Sequence, residues 1–451
     1  MADMTYRTEL PRIQPAADSA EKPVWLDGLA RRIVLDRLRR IRWGHLEVEY
    51  ADRKMVFGHD SPDFPVVATI RIHDNRFFSD ILLGGGLGSA EAFMAGFWST
   101  PNLTDVVRVM VRNMDVLENL RSGVPVLLEP LRRTAHWLNR NTRRGSRRNI
   151  VAHYDLGNDF FEVFLDPTMT YSAGIFETPD ASLEQASRAK LDRLCRKLAL
   201  TPGDHLLEIG TGWGSMAVHA AKNFGCRVTT TTISDEQYAW TEALVRKEGL
   251  SDRITLLKKD YRDLTGCYDK AVSIEMIEAV GDQFYNTYFN TISRLLKPDG
   301  MAAIQAIVIS DQHYHRARKN IDFIKRFIFP GSCIPSINAI INSVTTATDM
   351  RLFHMEDITI HYARTLAMWR EAFFRNIDTV RKMGFSDAFI RMWDFYLSYC
   401  EGGFLERHIG DVQFLFTKPL CRQPPILPPL VDPVPSRPVD GVPEDSGGSS
   451  S

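Results

Sequence analysis

The densest cluster of chemistry-bearing residues is His205-Leu206-Leu207-Glu208-Ile209-Gly210-Thr211-Gly212-Trp213-Gly214. An apolar strand runs into a glycine-rich turn, and Ser215 to Phe224 follows as a helix. Glycines let the backbone turn tightly and approach a ligand with no Cβ in the way. The helix start favours the negative end of that ligand. A structural turn with no ligand is the alternative. The next strand ends in Thr232-Ile233-Ser234 and then Gln237, with no acid at its end, so hydroxyl and amide groups would do the hydrogen bonding there. A third strand over Leu256–Lys259 leads into Asp260-Tyr261-Arg262, and a fourth, Asp269 to Ile274, leads toward Glu278. The twelve histidines show no HxxxH pattern, and the six cysteines form no CxxC pair. No metal site is expected.

These residues must be positioned by a chain of 451 residues, long enough for two or three domains, with 44% hydrophobic and 25% charged residues. A net charge of −1 gives no global attraction to nucleic acid. No run of 18 apolar residues predicts a membrane-spanning helix, and the charged N-terminus does not read as a signal peptide. With its scattered cysteines, the chain reads as a reduced, cytoplasmic protein. Residues 1–24 are polar and expected to be flexible. Residues 25–121 read as a small α+β domain, with a basic amphipathic helix over Arg31–Trp43, strands at Leu46–Tyr50, Lys54–Phe57 and Val66–Ile72, and a glycine turn at Gly86 followed by helices to Met110. Residues 122–150 form a linker with a basic run (Arg140, Arg143, Arg144, Arg147, Arg148), either a solvated surface or a contact for lipid phosphates. Residues 151–417 alternate strand-like and helix-like segments, which predicts an α/β fold: a Rossmann-like parallel sheet with helices on both faces. The Pro-, Ser- and Gly-rich tail, 418–451, is expected to be disordered.

The glycine turn, with Glu208 two residues before Gly210, is similar to the S-adenosylmethionine site of class I methyltransferases. Further motifs make the resemblance specific: Tyr154-Asp155-Leu156-Gly157-Asn158-Asp159-Phe160-Phe161, Met169-Thr170-Tyr171-Ser172, Glu278-Ala279-Val280-Gly281, Lys325-Arg326-Phe327-Ile328-Phe329-Pro330-Gly331, His361-Tyr362-Ala363 and Tyr399-Cys400-Glu401-Gly402-Gly403-Phe404. In this order they resemble the cyclopropane-fatty-acyl-phospholipid synthase family, which includes the mycolic acid cyclopropane synthases. The resemblance is dense over residues 150–417 and weaker around Gly86–Trp98.

The resemblance implies a class I methyltransferase domain behind an N-terminal lipid-facing domain. It also implies a homodimer associated peripherally with the inner face of a phospholipid bilayer. Tyr171, Ser172, Glu208, Gly210, Thr211, Gly212, Trp213, Gly214, Thr232, Ile233, Ser234, Gln237, Asp260, Tyr261 and Arg262 would surround S-adenosylmethionine, with Asp260 suited to the adenine amino group. The reaction implied is one-carbon transfer to the double bond of an unsaturated acyl chain, through a carbocation that loses a proton to bound bicarbonate. Bicarbonate would be held by the backbone around Ala173 and Ile307, by Glu278, Gln305 and the Tyr362 hydroxyl, with Tyr171, Phe284, Tyr285, Tyr362 and Trp369 as candidates to line an aromatic pocket. Cys400 is a candidate catalytic cysteine or a packing residue, and Glu278 alternatively a helix-start carboxylate. Two positions depart from the family pattern: Ala173 stands where a cysteine is usual, and Gln305 where a histidine is usual. Glutamine cannot change charge near neutral pH, which leaves open whether the product is a cyclopropane or a methyl-branched or methylene chain. Other readings are a small-molecule N-methyltransferase and a non-catalytic lipid-binding protein.

Overall fold

The structure is a computed structural model that describes residues 24–114 and 156–427. The basic run at 140–148, the Tyr154-Asp155 start of the first family motif, and residues 1–23 and 428–451 of the two expected flexible ends lie outside the described residues.

The N-terminal unit comprises α1 (Val24–Leu38), β1 (His45–Tyr50), β2 (Arg53–Gly58), β3 (Val67–Ile72), α2 (Arg76–Met94), β4 (Trp98–Ser99) and α3 (Leu103–Arg112). Its sheet runs β2-β1-β3-β4, with β1 antiparallel to β2 and parallel to β3. Two local expectations change. The first helix stops at Leu38 rather than Trp43, because the Asn113 side chain accepts from the Arg42 and Trp43 amides at 2.8 and 3.2 Å and holds them out of a helical turn. The glycine run makes a one-residue break rather than a turn that precedes the helices, with non-helical backbone at Gly85 joining two helical halves. It lies inside α2, which kinks at Gly85 (φ +57°), and Gly88 lies so close to the Asp80 carbonyl that a Cβ would sit 1.9 Å from its oxygen.

The second unit contains α4 (Asn158–Glu162), α5 (Leu183–Lys197), β5 (His205–Ile209), α6 (Ser215–Phe224), β6 (Arg227–Thr232), α7 (Asp235–Lys247), β7 (Ile254–Lys258), β8 (Tyr268–Ile274), α8 (Tyr285–Leu295), β9 (Leu296–Ile309), α9 (Asp311–Lys319), α10 (Ile337–Ala347), β10 (Arg351–Asp357), α11 (Thr359–Arg375), α12 (Ile377–Lys382), α13 (Asp387–Leu405) and β11 (Ile409–Thr417). The sheet order is β10-β11-β9-β8-β5-β6-β7. The strands from β7 to β9 pair in parallel, and β11 and β10 close the sheet antiparallel. The expected Rossmann-like sheet is therefore present, and its order reverses between β5 and β8. In open α/β sheets ligands bind at such a switch point, outside the carboxyl ends of the strands.

The two units share one hydrophobic cluster, with residues such as Ala30, Phe78 and Val109 from the first and Phe160, Trp369 and Phe404 from the second. The contact is made chiefly by α13 against α2 and α3. There Arg108 and Arg112 both reach the buried Glu406 carboxylate, and the Thr104 hydroxyl donates to Glu401 at 2.9 Å.

Candidate active site

The glycine turn projects from the carboxyl end of β5 into a cavity of about 540 Å³. Gly210 has φ +94°, and a Cβ there would lie 2.7 Å from Met276 Cγ; Gly212 has φ +53° and open space where a Cβ would be. The Glu208 Oε2 and Thr211 Oγ1 atoms are buried without a hydrogen-bond partner, and both residues line the cavity. Burial pushes the Glu208 carboxyl up to about 8, against a smaller opposing pull from Thr230 and Lys190. Open space beside a glycine and orphaned polar atoms facing it fit a polar ligand such as the amino-acid and ribose parts of S-adenosylmethionine.

Of the residues expected around the cofactor, all but Gly214 and Ser234 line this cavity. Gly214 precedes α6 with φ +91°, and the Ser234 hydroxyl caps α7 by accepting from the Gln237 amide at 3.3 Å. The Thr232 hydroxyl donates to Gln237 Oε1 at 2.9 Å, so that edge is ordered without an acid. Asp260 is bonded by the Arg262 guanidinium at 2.8 and 2.6 Å. Trp213 donates to Asn158 at 2.7 Å, tying the turn to α4.

The same cavity continues along an aromatic wall. Tyr171 stacks on Trp369 at 5.1 Å and its hydroxyl meets that of Tyr396 at 2.9 Å; Tyr362 stacks on Phe404 at 4.5 Å. Of the five expected aromatics, Tyr171 and Tyr362 line the cavity and Trp369 backs them. Phe284 and Tyr285 do not reach it. Phe284 lies under the Arg262 guanidinium, and the Tyr285 hydroxyl donates to the Cys333 carbonyl at 2.5 Å. Sequence reasoning missed Phe395 and Tyr396 and gave the motif residues Tyr399 and Phe404 no place in the aromatic wall; all four line the cavity from α13. Cys400 lines the cavity beside them, and burial pushes its thiol far above the usual range, which disfavours the thiolate that a nucleophile requires. His361 is structural: its Nδ1 accepts from the Phe176 amide at 3.1 Å. His408 lines the cavity next to the His313 ring. Among the described residues no group of three His, Cys, Asp or Glu could hold a metal ion.

The groups expected to grip bicarbonate do come together, but around a side chain that sequence reasoning passed over. Ala173 N and Gln305 Nε2 donate to Glu275 Oε1 at 2.9 and 2.8 Å, and the Tyr362 hydroxyl donates to Glu275 Oε2 at 2.7 Å. Gln305 Nε2 also donates to Asp411 Oδ2 at 3.0 Å. Glu278 sits next to this set, accepting from the Ile307 amide, with its other oxygen unpartnered. The residues present therefore do not fit bicarbonate, because Glu275 already takes the donors of Ala173, Gln305 and Tyr362. Glu275 directly follows β8, three residues before Glu278, and a second acid in that short stretch was the available signal. Lys190, also unforeseen, is buried, donates to the Ser172 hydroxyl at 2.8 Å and lines the cavity. Burial lowers it to about 8 despite the nearby Glu275 and Asp411.

A sheet of this order, with a glycine turn and unpartnered polar groups at its switch point, defines the class I methyltransferase fold. Residues 141–414 match the family described as mycolic acid cyclopropane synthetase. The chain is 38% identical to the tuberculostearic acid methyltransferase UfaA1 of Mycobacterium tuberculosis, over 73% of this chain and 78% of that protein. It is 35% identical to the cyclopropane-fatty-acyl-phospholipid synthase of Escherichia coli K12, over 78% and 88%. Among solved structures it resembles the cyclopropane synthase MmaA2 of Mycobacterium tuberculosis, with TM-score 0.56 and 29% identity over 60% of this chain and 98% of that one. The chain belongs to this family, as an S-adenosylmethionine-dependent methyltransferase.

Proposed function

We propose that the protein transfers a one-carbon unit from S-adenosylmethionine to the double bond of an unsaturated phospholipid acyl chain, closing a cyclopropane ring. The observation that carries this reading is the single cavity. It joins the glycine turn to the aromatic wall and continues between Leu38, Val48, Ile70 and Phe78 of the N-terminal unit, an apolar path suited to a lipid tail. A relative at 35% identity is named for the same chemistry, and a related structure at 30% identity holds S-adenosylhomocysteine together with CTAB.

The bound sulfonium supplies an electrophilic methyl group, whose transfer to an alkene carbon leaves a lipid carbocation. Glu208, Thr211, Gln237 and the glycine turn hold and orient the donor. Such positioning supplies much of the rate, because an isolated alkene is a poor nucleophile. The ring faces of Tyr171, Tyr362 and Phe404 stabilise the cation and exclude water that would trap it. Access is from a bilayer surface, with exposed Trp43, Val56 and Val67 of the N-terminal unit available for contact. No helix of the described residues is long and apolar enough to cross a membrane. Peripheral attachment at the cytoplasmic face, as a homodimer, follows from the family resemblance. A second reading, a methylene or methyl-branched chain, is favoured by Gln305, which cannot relay a proton as a histidine would.

The test is incubation of the purified protein with methyl-13C S-adenosylmethionine and vesicles of monounsaturated phosphatidylglycerol, followed by NMR of the lipid. High-field ring protons on labelled carbon are expected. Labelled =CH2 protons, or a labelled methyl group on the chain, would replace the cyclopropane by the second reading, and absence of label from lipid treated with protein that binds the donor would overturn both.

A further inference from the structure

We propose that the Glu275 carboxylate is the base of this reaction, receiving the proton lost by the lipid cation in the place expected for bicarbonate; the inference rests on the lipid-methylation reading. Glu275 is one of the carboxyls that line the cavity, and it reaches there from β8 with φ +49°, a conformation costly for a residue with a Cβ. Backbone strain of this kind persists where the surroundings enforce it. Here they do: the Glu275 amide donates to the Gln305 carbonyl at 2.8 Å, and three donors hold the carboxylate itself.

The orientation of those donors is fixed from behind. Lys197 Nζ donates to Gln413 Oε1 at 2.8 Å, Gln413 Nε2 donates to Gln305 Oε1 at 3.0 Å, and Gln305 must therefore turn its NH2 toward Glu275 and Asp411. Two acids accepting from one buried amide cannot both be charged in dry surroundings. Asp411 lies behind Glu275, off the cavity, with its amide held by the Thr359 hydroxyl at 3.1 Å and one carboxyl oxygen unpartnered. Burial raises both carboxyls, but the Tyr362 hydroxyl, the Ala173 amide and the charge of Lys190 pull Glu275 back, whereas burial and the neighbouring Glu275 push Asp411 well above the usual carboxylate range. Asp411 therefore carries the proton and Glu275 the charge. Glu278 faces the same spot, and burial beside Glu275 pushes it up to about 8, so it is also neutral near pH 7.

The step balances within the site. A C–H bond of the transferred methyl breaks and its electron pair closes the ring onto the cationic carbon, or a C–H bond beside the cationic carbon breaks and its pair forms a double bond; in both cases the proton moves to a Glu275 oxygen. A proton whose loss discharges a carbocation is so acidic that a carboxylate weakened by three hydrogen bonds suffices.

The experiment compares wild type, Glu275→Gln and Glu275→Gly in carbonate-free buffer and with added bicarbonate, reading methyl transfer to the same vesicles. Binding of 13C-bicarbonate is measured in parallel by NMR. Glycine suits φ +49° and empties the carboxylate's place, whereas glutamine keeps the shape without the charge. Wild type is expected to turn over equally in both buffers and to bind no bicarbonate. Glu275→Gln should lose about 100-fold or more in kcat while binding S-adenosylmethionine normally, with no rescue. Glu275→Gly should bind bicarbonate and recover activity with it. Wild type that needs or binds bicarbonate, or Glu275→Gln with wild-type turnover, would overturn the assignment. Wild type inactive on lipid in both buffers would sink the lipid reading instead, and the bicarbonate-binding comparison would still decide whether Glu275 fills that place.

Discussion

Gly212 and Glu278 show how differently two residues of one site can be tested. At Gly212 the backbone has φ +53° and a side chain would project into open cavity. Valine there combines strain of roughly 1–2 kcal/mol with occupation of the ligand's path. Gly212→Val should weaken S-adenosylmethionine binding about 100-fold or more in calorimetry while the protein remains folded by circular dichroism. Unchanged affinity would show that the turn serves only structure. Glu278 is a matter of protons. Burial and the neighbouring Glu275 raise its carboxyl to about 8, above the roughly 4.3 of an unfolded glutamate. Between those values the folded state holds a proton that the unfolded state has released. Stability from this group is thus full below about pH 4.3 and declines as pH rises toward 8. Glu278→Gln mimics the protonated form and should raise Tm by roughly 2–6 °C at pH 8 and hardly at all at pH 4. An equal shift at both pH values would contradict the raised pKa. The sequence made Glu278, Tyr362 and the glycine turn legible because each sits in a motif. It hid Glu275 and Asp411, whose role depends on three strands, β8, β9 and β11, meeting at Gln305.

At the scale of elements, the parallel sheet was legible because its apolar strands alternate with helices and glycine or serine marks several boundaries. The kinked α2 was not legible. Three consecutive glycines read as a turn, whereas the chain breaks only at Gly85 and continues as helix, with Gly88 packed against the Asp80 carbonyl. The α13 contact with α3 was equally hidden, since it joins residues about 300 positions apart in sequence. Gly402 is the tightest point of that contact: a Cβ would lie 2.7 Å from Val107 Cγ1 and 2.9 Å from Val107 Cβ. Gly402→Val should therefore force α13 away from α3 and cost about 1–3 kcal/mol, as overpacking does. Hydrogen exchange should report faster opening of α3 while β5 and β6 stay protected. Uniform destabilisation across both units would mean that the contact is not a separable seam.

The whole molecule places its chemistry where two units share one hydrophobic interior. The charge-poor lining of the N-terminal unit is not a separate core, because Val48, Ile70 and Phe78 border the same cavity as Tyr171 and Glu275. A lipid tail long enough to pass the aromatic wall would then end among α1, α2 and β3, and that arm would measure chain length. Gly86 offers a way to shorten it without disturbing the fold: it lines the cavity, no atom lies within 4 Å of where its Cβ would be, and its φ is not positive. A phenylalanine placed there has room for its Cβ and projects a ring into the N-terminal arm. In Gly86→Phe, turnover on short monounsaturated acyl chains should stay within about threefold of wild type, while kcat/KM on long chains falls about tenfold or more, the equivalent of roughly 1.4 kcal/mol of lost tail contact. S-adenosylmethionine affinity should not change, because the glycine turn belongs to the other unit. If short and long chains suffer equally, the arm does not receive the tail, and the N-terminal unit supports the catalytic one only by packing.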